Sequence, residues 1–292
     1  MDTEKKIEFY KNRNLGERFS ASIDFLKENW KVLYKNILIV AIPLSLIIGF
    51  CMQYYMQSLE TVATGDFGGF FFIAILFMLL AMILSMFLYS MTGAVMLKYN
   101  KGELNKDAGW SDLSGSMFSL FGKSILIGLM LFLFFILFSV VLGFMFAGMA
   151  MGTGVFAAFF ILLFMVGIIC AVGPSLSMIY YPAYFSGVTP WESIKQGFSL
   201  GFKNWGNIFV TLLLVGIMAG IVNTMFALPY QIVMVFSQEI NIFTFIFATI
   251  STLGSVLTVP VMFIFLAFQY FSITEQEEGI SLQSQIDEFD NL

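Results

Sequence analysis

Residues that could do chemistry are few in this chain of 292 residues, and histidine is absent. Without an imidazole there is no Ser-His or Cys-His nucleophile pair, no histidine metal ligand and no proton switch near neutral pH. Cysteine occurs only as Cys51 and Cys170, too few for a disulfide framework or a zinc ribbon. The sequence therefore predicts a protein without catalytic residues, metal site or cofactor.

Methionine offers one further metal chemistry, because thioethers are ligands for Cu(I). Met145, Met149 and Met151 lie close together in the chain, with no cysteine nearby. Methionine also fills irregular gaps in apolar packing, and this chain contains 19 of them. We therefore favour packing over copper binding at this place.

Three prolines and two polar residues inside apolar segments are the candidate kink or cavity positions. Pro43, Pro174 and Pro260 each free a backbone carbonyl, and broken helices of this kind line sites in transporters. Neighbouring helices can also satisfy such a carbonyl, and we favour that interpretation. Asn223 is expected to be the most polar buried group, and for it and Thr224 we favour helix packing over ligand binding.

The elements that must position these residues are long and apolar. The chain is 59% hydrophobic and only 11% charged, against about 25% charged residues in soluble domains, and its mean hydropathy is +0.89. Charged residues are absent from 36–59, 67–97, 124–191, 204–238 and 240–274. About 20 apolar residues cross a bilayer, so 124–191 holds two spans and each other interval one. The predicted fold is all-α, a polytopic membrane protein with six transmembrane helices near residues 36–56, 70–97, 124–147, 155–181, 207–229 and 242–272.

Basic residues predict the orientation of these spans. All 14 lysines and arginines fall within residues 1–35, 98–123 and 195–203. The positive-inside rule places these segments, and with them both termini, on the cytoplasmic side of the cytoplasmic membrane. The four tryptophans flank spans on the same side and are predicted to be interfacial anchors at the headgroup level: Trp30, Trp110, Trp191 and Trp205.

Each pair of spans follows a segment with the spacing of an amphipathic interfacial helix. The three segments lie in residues 1–35, 109–123 and 190–205. Their predicted apolar faces are Phe19, Ile23, Leu26 and Trp30 in the first, Leu113, Met117, Leu120 and Phe121 in the second, and Trp191, Ile194, Phe198, Phe202 and Trp205 in the third.

The starts of these segments also resemble one another. Thr189-Pro190-Trp191-Glu192 fits a capping box, and Asn14-Leu15-Gly16-Glu17 has the same form with asparagine as the cap. Further along, Asn29-Trp30 recurs as Asn204-Trp205. The sequence therefore predicts three repeated units, each an interfacial helix followed by a helical hairpin in the membrane.

The chain resembles a group of bacterial six-span membrane proteins, most of them uncharacterised. The resemblance rests on the Asn-Trp helices before hairpins, on Thr-Pro-Trp-Glu-Ser-Ile at 189–194, and on 274–279 followed by Leu282 and Ile286. These proteins are similar to the membrane domain that accompanies some glycerophosphodiester phosphodiesterases, whose catalytic histidine and metal-binding carboxylates have no counterpart here. Similar chains are sometimes labelled beta-carotene 15,15'-monooxygenase, but that family holds iron with four histidines, which this chain lacks.

The tail, residues 273–292, is acidic and contains no base. Leu282, Ile286 and Phe289 are spaced as on one side of a short helix. A solvated tail is the favoured interpretation. The alternative is that the tail docks on the basic cytoplasmic face or on a partner.

Glycine spacing permits close helix approach at Gly148-xxx-Gly152 and Gly216-xxx-Gly220. We favour packing within one chain and keep a homo-oligomer as the alternative. Other expected partners are the lipid bilayer and a membrane protein, and no nucleic acid is expected.

These features together predict a non-enzymatic protein of the cytoplasmic membrane that organises the envelope or assists a membrane complex. A permease or lipid-handling protein for a hydrophobic or amphiphilic substrate is the alternative, and a membrane-embedded enzyme ranks last.

Overall fold

The fold is all-helical throughout the residues that the structure describes. A computed structural model of the chain describes residues 6–62, 67–150, 154–236 and 241–279. Its helices are α1 (Leu15–Val62), α2 (Phe67–Lys101), α3 (Trp110–Ala150), α4 (Gly154–Ser177), α5 (Pro190–Lys203), α6 (Trp205–Phe236) and α7 (Ile242–Glu278), with a short π-helical turn at Pro182–Ser186. Met151, Gly152 and the tail beyond Gly279 lie outside the described residues, as do the side chains of Met145 and Met149.

Six of the seven helices, all but α5, are long and apolar enough to cross a membrane. The predicted number of apolar helices is therefore confirmed, and the chain is a multi-pass membrane protein. Two helices begin earlier than their predicted spans, because α1 and α3 continue without a break from the amphipathic segment into the apolar one. In α1 residues 17–42 contain neither proline nor glycine, so nothing in that sequence ends the helix.

The predicted fourth span also ends early, at Ser177 rather than residue 181. Pro182 has no N–H with which to continue the helical hydrogen bonds to Met178. The last turn tightens instead, since the Met178 N–H donates to the Ser175 carbonyl at 3.3 Å. After the π-helical turn, Gly187 adopts a left-handed φ of 70° and redirects the chain toward α5.

Four helices, α1, α2, α3 and α7, have 35 residues or more and are much longer than a bilayer is thick. α1 has 48 residues, α2 has 35 and α7 has 37. At about 1.5 Å per residue their lengths are about 72, 52 and 56 Å, whereas the hydrocarbon core is about 30 Å thick. Part of each helix therefore projects beyond the hydrocarbon.

Polar contacts join the basic segments at one end of the bundle. The Lys6 ammonium donates to the Asn100 carbonyl at 2.6 Å, and the Lys203 ammonium lies 3.7 Å from the Glu277 carboxylate. The Asn36 amide donates to the Ala108 carbonyl at 3.1 Å. We call residues 6–36, 86–124, 174–211 and 257–279 the basic end, since they hold every described lysine and arginine.

The core of the basic end is the second half of α7. α7 packs against α1, α2 and α6, and every residue from 263 to 274 is buried. A helix that is buried on all sides needs apolar residues all round, and five of these twelve positions are aromatic. The second half of α7 is therefore the central helix of the basic end, and α1, α2 and α6 pack around it.

Three helices, α1, α3 and α5, begin with the same hydrogen bond. In each the backbone N–H of the cap residue donates to the carboxylate three positions later. The donor and acceptor residues are Asn14 and Glu17 at 2.9 Å, Gly109 and Asp112 at 2.8 Å, and Thr189 and Glu192 at 3.2 Å. Asn14 and Thr189 also accept from the backbone of Glu17 and Glu192, which confirms both predicted capping boxes. The hydroxyl and backbone hydrogen bonds from Thr189 hold the pKa of Glu192 below its ordinary value.

A second correspondence lies fifteen residues after each cap. Asn29, Ser124 and Asn204 each donate a side-chain hydrogen bond to the carbonyl four residues earlier, at 3.0, 2.9 and 3.3 Å. The three helix starts thus share one spacing between the cap and this side-chain hydrogen bond. Whether the whole hairpins superpose stays a prediction.

Replacing Thr189 by alanine is expected to lower the free energy of unfolding by about 1 kcal/mol. The reason is that the Glu192 N–H loses its side-chain acceptor. The measurement is reversible unfolding in mixed micelles of rising SDS fraction. Thr224→Ala is the matched control, because Thr224 is exposed on α6 and such substitutions change stability by no more than about 0.5 kcal/mol. Equal losses in the two variants would contradict the capping role.

The buried face of the first amphipathic segment is not the predicted one. Ile23 and Trp30 of the predicted face are exposed, whereas the face displaced by one residue is buried. The buried residues are Arg18, Ser22, Phe25 and Asn29. In a membrane protein the surroundings can be as apolar as the interior, so polar side chains with partners turn inward and apolar ones outward.

The third amphipathic segment shows the same displacement, and the second does not. In α5, Trp191 and Phe202 are exposed, while the small residues Ser193, Gly197 and Gly201 are buried against the end of α4. In α3 the predicted residues are buried as expected: Leu113, Met117 and Leu120. Only α5 is a helix separate from the span that follows it.

Candidate functional site

The predicted kink and cavity positions do not line a common site. Pro43 and Thr224 are exposed on the surfaces of α1 and α6, whereas Pro174 and Pro260 are buried. Asn223 is half-buried, and its amide donates to the Thr258 hydroxyl at 3.0 Å, which joins α6 to α7. The expectation that Asn223 is the most polar buried group is wrong, because a charged group and three amides are buried more deeply: Arg18, Asn36, Gln53 and Gln269.

Pro174 frees a carbonyl that a tryptophan then satisfies. Pro174 has no N–H to offer the Cys170 carbonyl one turn earlier in α4. The Trp205 indole N–H donates to the carbonyls of Cys170 at 3.2 Å and Ala171 at 3.1 Å. Trp205, predicted as an interfacial anchor and as part of the third apolar face, therefore also ties the start of α6 to the proline kink.

The turn before Pro260 has a hydrogen-bond partner in α1. The Tyr34 hydroxyl donates to the carbonyl of Leu257 at 2.7 Å and so ties α1 to that turn. The carbonyl left free by the proline is satisfied by a neighbouring element at Pro174, as in ordinary membrane helices.

The other predicted anchors lie near lysines at the basic end. Trp30 and Trp191 are more than half exposed, and ammonium groups lie 5.9 and 5.2 Å from their ring centroids, from Lys31 and Lys195 respectively. Trp110 is half-buried and stacks on Phe87. An indole that is exposed beside a cation suits the headgroup region of a bilayer.

A cluster of three buried hydroxyls joins α2, α3 and the π-helical turn. The Tyr184 hydroxyl lies 3.1 Å from the Ser90 hydroxyl and also contacts the Ser124 hydroxyl. Gly93 makes room for the Tyr184 ring, since a Cβ there would lie 2.6 Å from a ring carbon. The nearby Lys123 ammonium donates to the Ala183 carbonyl at 2.7 Å. With each group engaged in this way, the cluster positions the turn rather than activating a nucleophile.

A different polar cluster holds an arginine in the interior. Arg18 of α1 is 5% exposed, and its Nη2 donates to the Asn207 Oδ1 of α6 at 3.2 Å. Its Nε is buried and has no hydrogen-bond partner in the described part of the chain. A buried guanidinium needs an acceptor for each donor, and a neutral amide supplies only part of that requirement.

Gln269 of α7 belongs to the same cluster. The Thr211 hydroxyl donates to the Gln269 Oε1 at 3.0 Å and to the Asn207 carbonyl at 3.0 Å. The Gln269 side chain is fully buried, and among the described residues its Nε2 has no hydrogen-bond partner. We call Arg18, Asn207, Thr211 and Gln269 the Arg18 cluster.

Sequence reasoning missed this cluster. The charge pattern places Arg18 in a cytoplasmic segment and indicates no role for Gln269, because neither lies in a recognisable motif. One signal points to Gln269: it is a polar amide inside the charge-free interval 240–274. A polar residue within an apolar span is costly unless it has a partner, so it indicates a polar contact.

The Arg18 cluster is the candidate functional site, and its chemistry is binding rather than catalysis. Within the described ranges no three His, Cys, Asp or Glu residues come together as a metal site would require. Arginine stays protonated and cannot act as a base. No family model matches this chain, and neither does any curated protein or solved structure. The function must therefore be inferred from the site and the fold themselves.

Proposed function

We propose that this chain is a non-enzymatic protein of the cytoplasmic membrane that assists a larger membrane assembly or organises the envelope. In this proposal both termini are cytoplasmic, because the positive-inside rule assigns the basic end to that side. The resemblance to the membrane domain found with some glycerophosphodiester phosphodiesterases is part of the same proposal.

The observation that carries the proposal is that the basic end is an ordered layer, in which the segment before α1 is held on the helices by specific contacts. Long helices project beyond the hydrocarbon, and the segment before α1 is fixed onto them by Phe9, Arg13 and Asn12. A chain that only anchored itself in lipid would not need this ordered layer. Its exposed lysines and tryptophans form a surface that a partner or headgroups can contact.

The test is quantitative affinity purification of the full chain in mild detergent. The expected result is a reproducible membrane-protein partner, whose recovery falls when exposed charges of the basic end are reversed by Lys27→Glu with Lys31→Glu. Thr224→Ala, exposed on α6, is the control and should leave recovery unchanged. A strictly monomeric protein without a reproducible partner would overturn the proposal. Fluorescent-protein fusions at either terminus, which fluoresce in the cytoplasm, test the orientation separately.

A lipid-handling protein is the second candidate, and the Arg18 cluster favours it. The cluster lies between α1 and α6, which both pack along α7, and Asn207 is exposed at the surface. Reconstitution in vesicles with fluorescent phospholipids tests this alternative. Movement of lipid between leaflets above that of protein-free vesicles would favour it over an assembly role.

A further inference from the structure

Two donors of the Arg18 cluster lack acceptors among the described residues. Arg18 Nε and Gln269 Nε2 are both buried without a partner in the described part of the chain. Both atoms are hydrogen-bond donors, so the ligand that would complete the cluster must be an acceptor. The described ion pairs involve Lys11, Lys27 and Lys203, and none reaches Arg18. A guanidinium that is 5% exposed therefore has no carboxylate of the described residues as an ion-pair partner.

An anion is the acceptor that fits this arrangement best. Burying a guanidinium with only neutral partners is unfavourable, and a bound anion offsets its charge as well as its hydrogen bonds. Arginine presents a planar fork of N–H groups that matches the oxygens of phosphate. The Gln269 amide supplies a further neutral donor of the kind that fixes orientation in binding sites.

The residues around the exposed Asn207 indicate where the anion comes from. Asn207, which accepts a hydrogen bond from Arg18, is exposed. The space beside Gly206 is open, since a Cβ at that position would meet no atom within 4 Å. One and two turns further along α6, Val210 and Leu214 are exposed apolar residues. A polar site next to an exposed apolar helix surface suits a charged headgroup with its acyl chains alongside.

We propose that Arg18 and Gln269 bind a phosphate group at the junction of α1, α6 and α7, and that an anionic phospholipid supplies it. Arg18 Nε and Gln269 Nε2 donate to the phosphate oxygens, while Asn207 accepts from Arg18 Nη2 and holds the guanidinium in place. The site requires only the folded chain in a membrane and is independent of the role proposed above.

The experiment measures the thermal stability of the full chain in dodecyl maltoside after removal of bound lipid. Phosphatidylglycerol, phosphatidylcholine and inorganic phosphate are titrated separately. A ligand that binds only the folded state raises Tm in a saturable way. We expect phosphatidylglycerol to raise Tm, and phosphatidylcholine, whose phosphate is already balanced by its choline, to have little effect.

The decisive variant is Asn207→Asp, which converts the 3.2 Å contact with Arg18 into an internal ion pair. This variant is expected to have a higher Tm without lipid and an affinity for phosphatidylglycerol weaker by about tenfold or more, because its carboxylate replaces the anion. Asn105→Asp makes the same charge change at an exposed position elsewhere in the basic end and should respond like the wild type. Arg18→Gln should lose the response, and if it fails to fold, Asn207→Asp alone still decides.

Each outcome bears on the proposal. A Tm rise with phosphatidylglycerol that Asn207→Asp abolishes supports a headgroup site. A rise with inorganic phosphate alone, lost in the same variant, supports the phosphate site and assigns it to a soluble source. Equal responses to phosphatidylglycerol and phosphatidylcholine, or a response that survives in Asn207→Asp and in Arg18→Gln, would overturn the proposal. None of these results depends on whether a protein partner co-purifies.

Discussion

Replacing Phe9 by alanine is expected to lower the free energy of unfolding by about 3–5 kcal/mol, the range for removing a buried phenylalanine. Phe9 is 2% exposed and packs against four aromatic rings contributed by three helices. Ring centroids lie 5.9 Å away for Phe25, 5.8 Å for Tyr99, 5.4 Å for Phe268 and 4.8 Å for Phe271.

The same substitution should release that segment from the bundle. The Arg13 guanidinium donates to the Phe9 carbonyl at 3.1 Å, and the Arg13 N–H donates to the Ser272 hydroxyl at 3.1 Å. Loss of the anchoring ring is expected to increase trypsin cleavage at Lys11 and Arg13 under native conditions. SDS titration in mixed micelles measures stability, and a cleavage time course measures the release.

Phe118→Ala is the matched control for Phe9→Ala. Phe118 also lies at the basic end but is 59% exposed, so its removal leaves no cavity. The free energy of unfolding is expected to fall by no more than about 0.5 kcal/mol, as is ordinary for surface substitutions. If Phe9→Ala cost no more than Phe118→Ala, the aromatic cluster would not be what holds the segment before α1.

Replacing Gly197 or Gly201 by alanine is expected to destabilise the protein by about 1–3 kcal/mol each, the usual cost of overpacking. A Cβ at Gly197 would lie 2.5 Å from the Cα of Ile179, and one at Gly201 would overlap the Cα of Ser175. Backbone atoms cannot move aside as a flexible side chain can. The helix α5 would have to separate from the end of α4.

Two other glycines provide a control of opposite sign. Gly216 and Gly220 lie on α6, and a Cβ at either meets nothing within 4 Å. Alanine there is expected to be neutral or to stabilise the helix by about 0.5–1 kcal/mol. Reversible unfolding of the four single variants measures both effects, and a similar change at all four positions would show that close packing of α5 is not important.

These glycines also show how far sequence reasoning reaches. The spacing of Gly216 and Gly220 predicts close helix packing, yet a Cβ at either position would meet no atom within 4 Å. The motif that packs is Ser193, Gly197 and Gly201, at the same spacing of four. Spacing shows which residues share a face, but it does not show whether another backbone lies against that face.

Local and additive signals were sufficient for much of this fold. The six apolar helices follow from the transfer free energy of continuous runs, and the capping boxes at Asn14 and Thr189 involve residues only three positions apart. The basic residues likewise mark the basic end because charge is excluded from the hydrocarbon. Each of these features depends on a short stretch of chain, and neighbours in space do not alter it.

The tertiary structure alone decided which faces are buried and where the unpaired donors lie. Lipid and protein interior are both apolar, so periodicity cannot tell the face toward lipid from the face toward other helices. Arg18 contacts Asn207, and Thr211 contacts Gln269, only because α1 and α6 pack on the same helix, since the partners of each pair are far apart in the chain. The sequence by itself determined a six-helix membrane protein with one basic end. The packing of the helices around α7 determined that Arg18 is buried and that two donors near it, among the described residues, have no acceptor. Burial is a property of the packed bundle and not of any one segment.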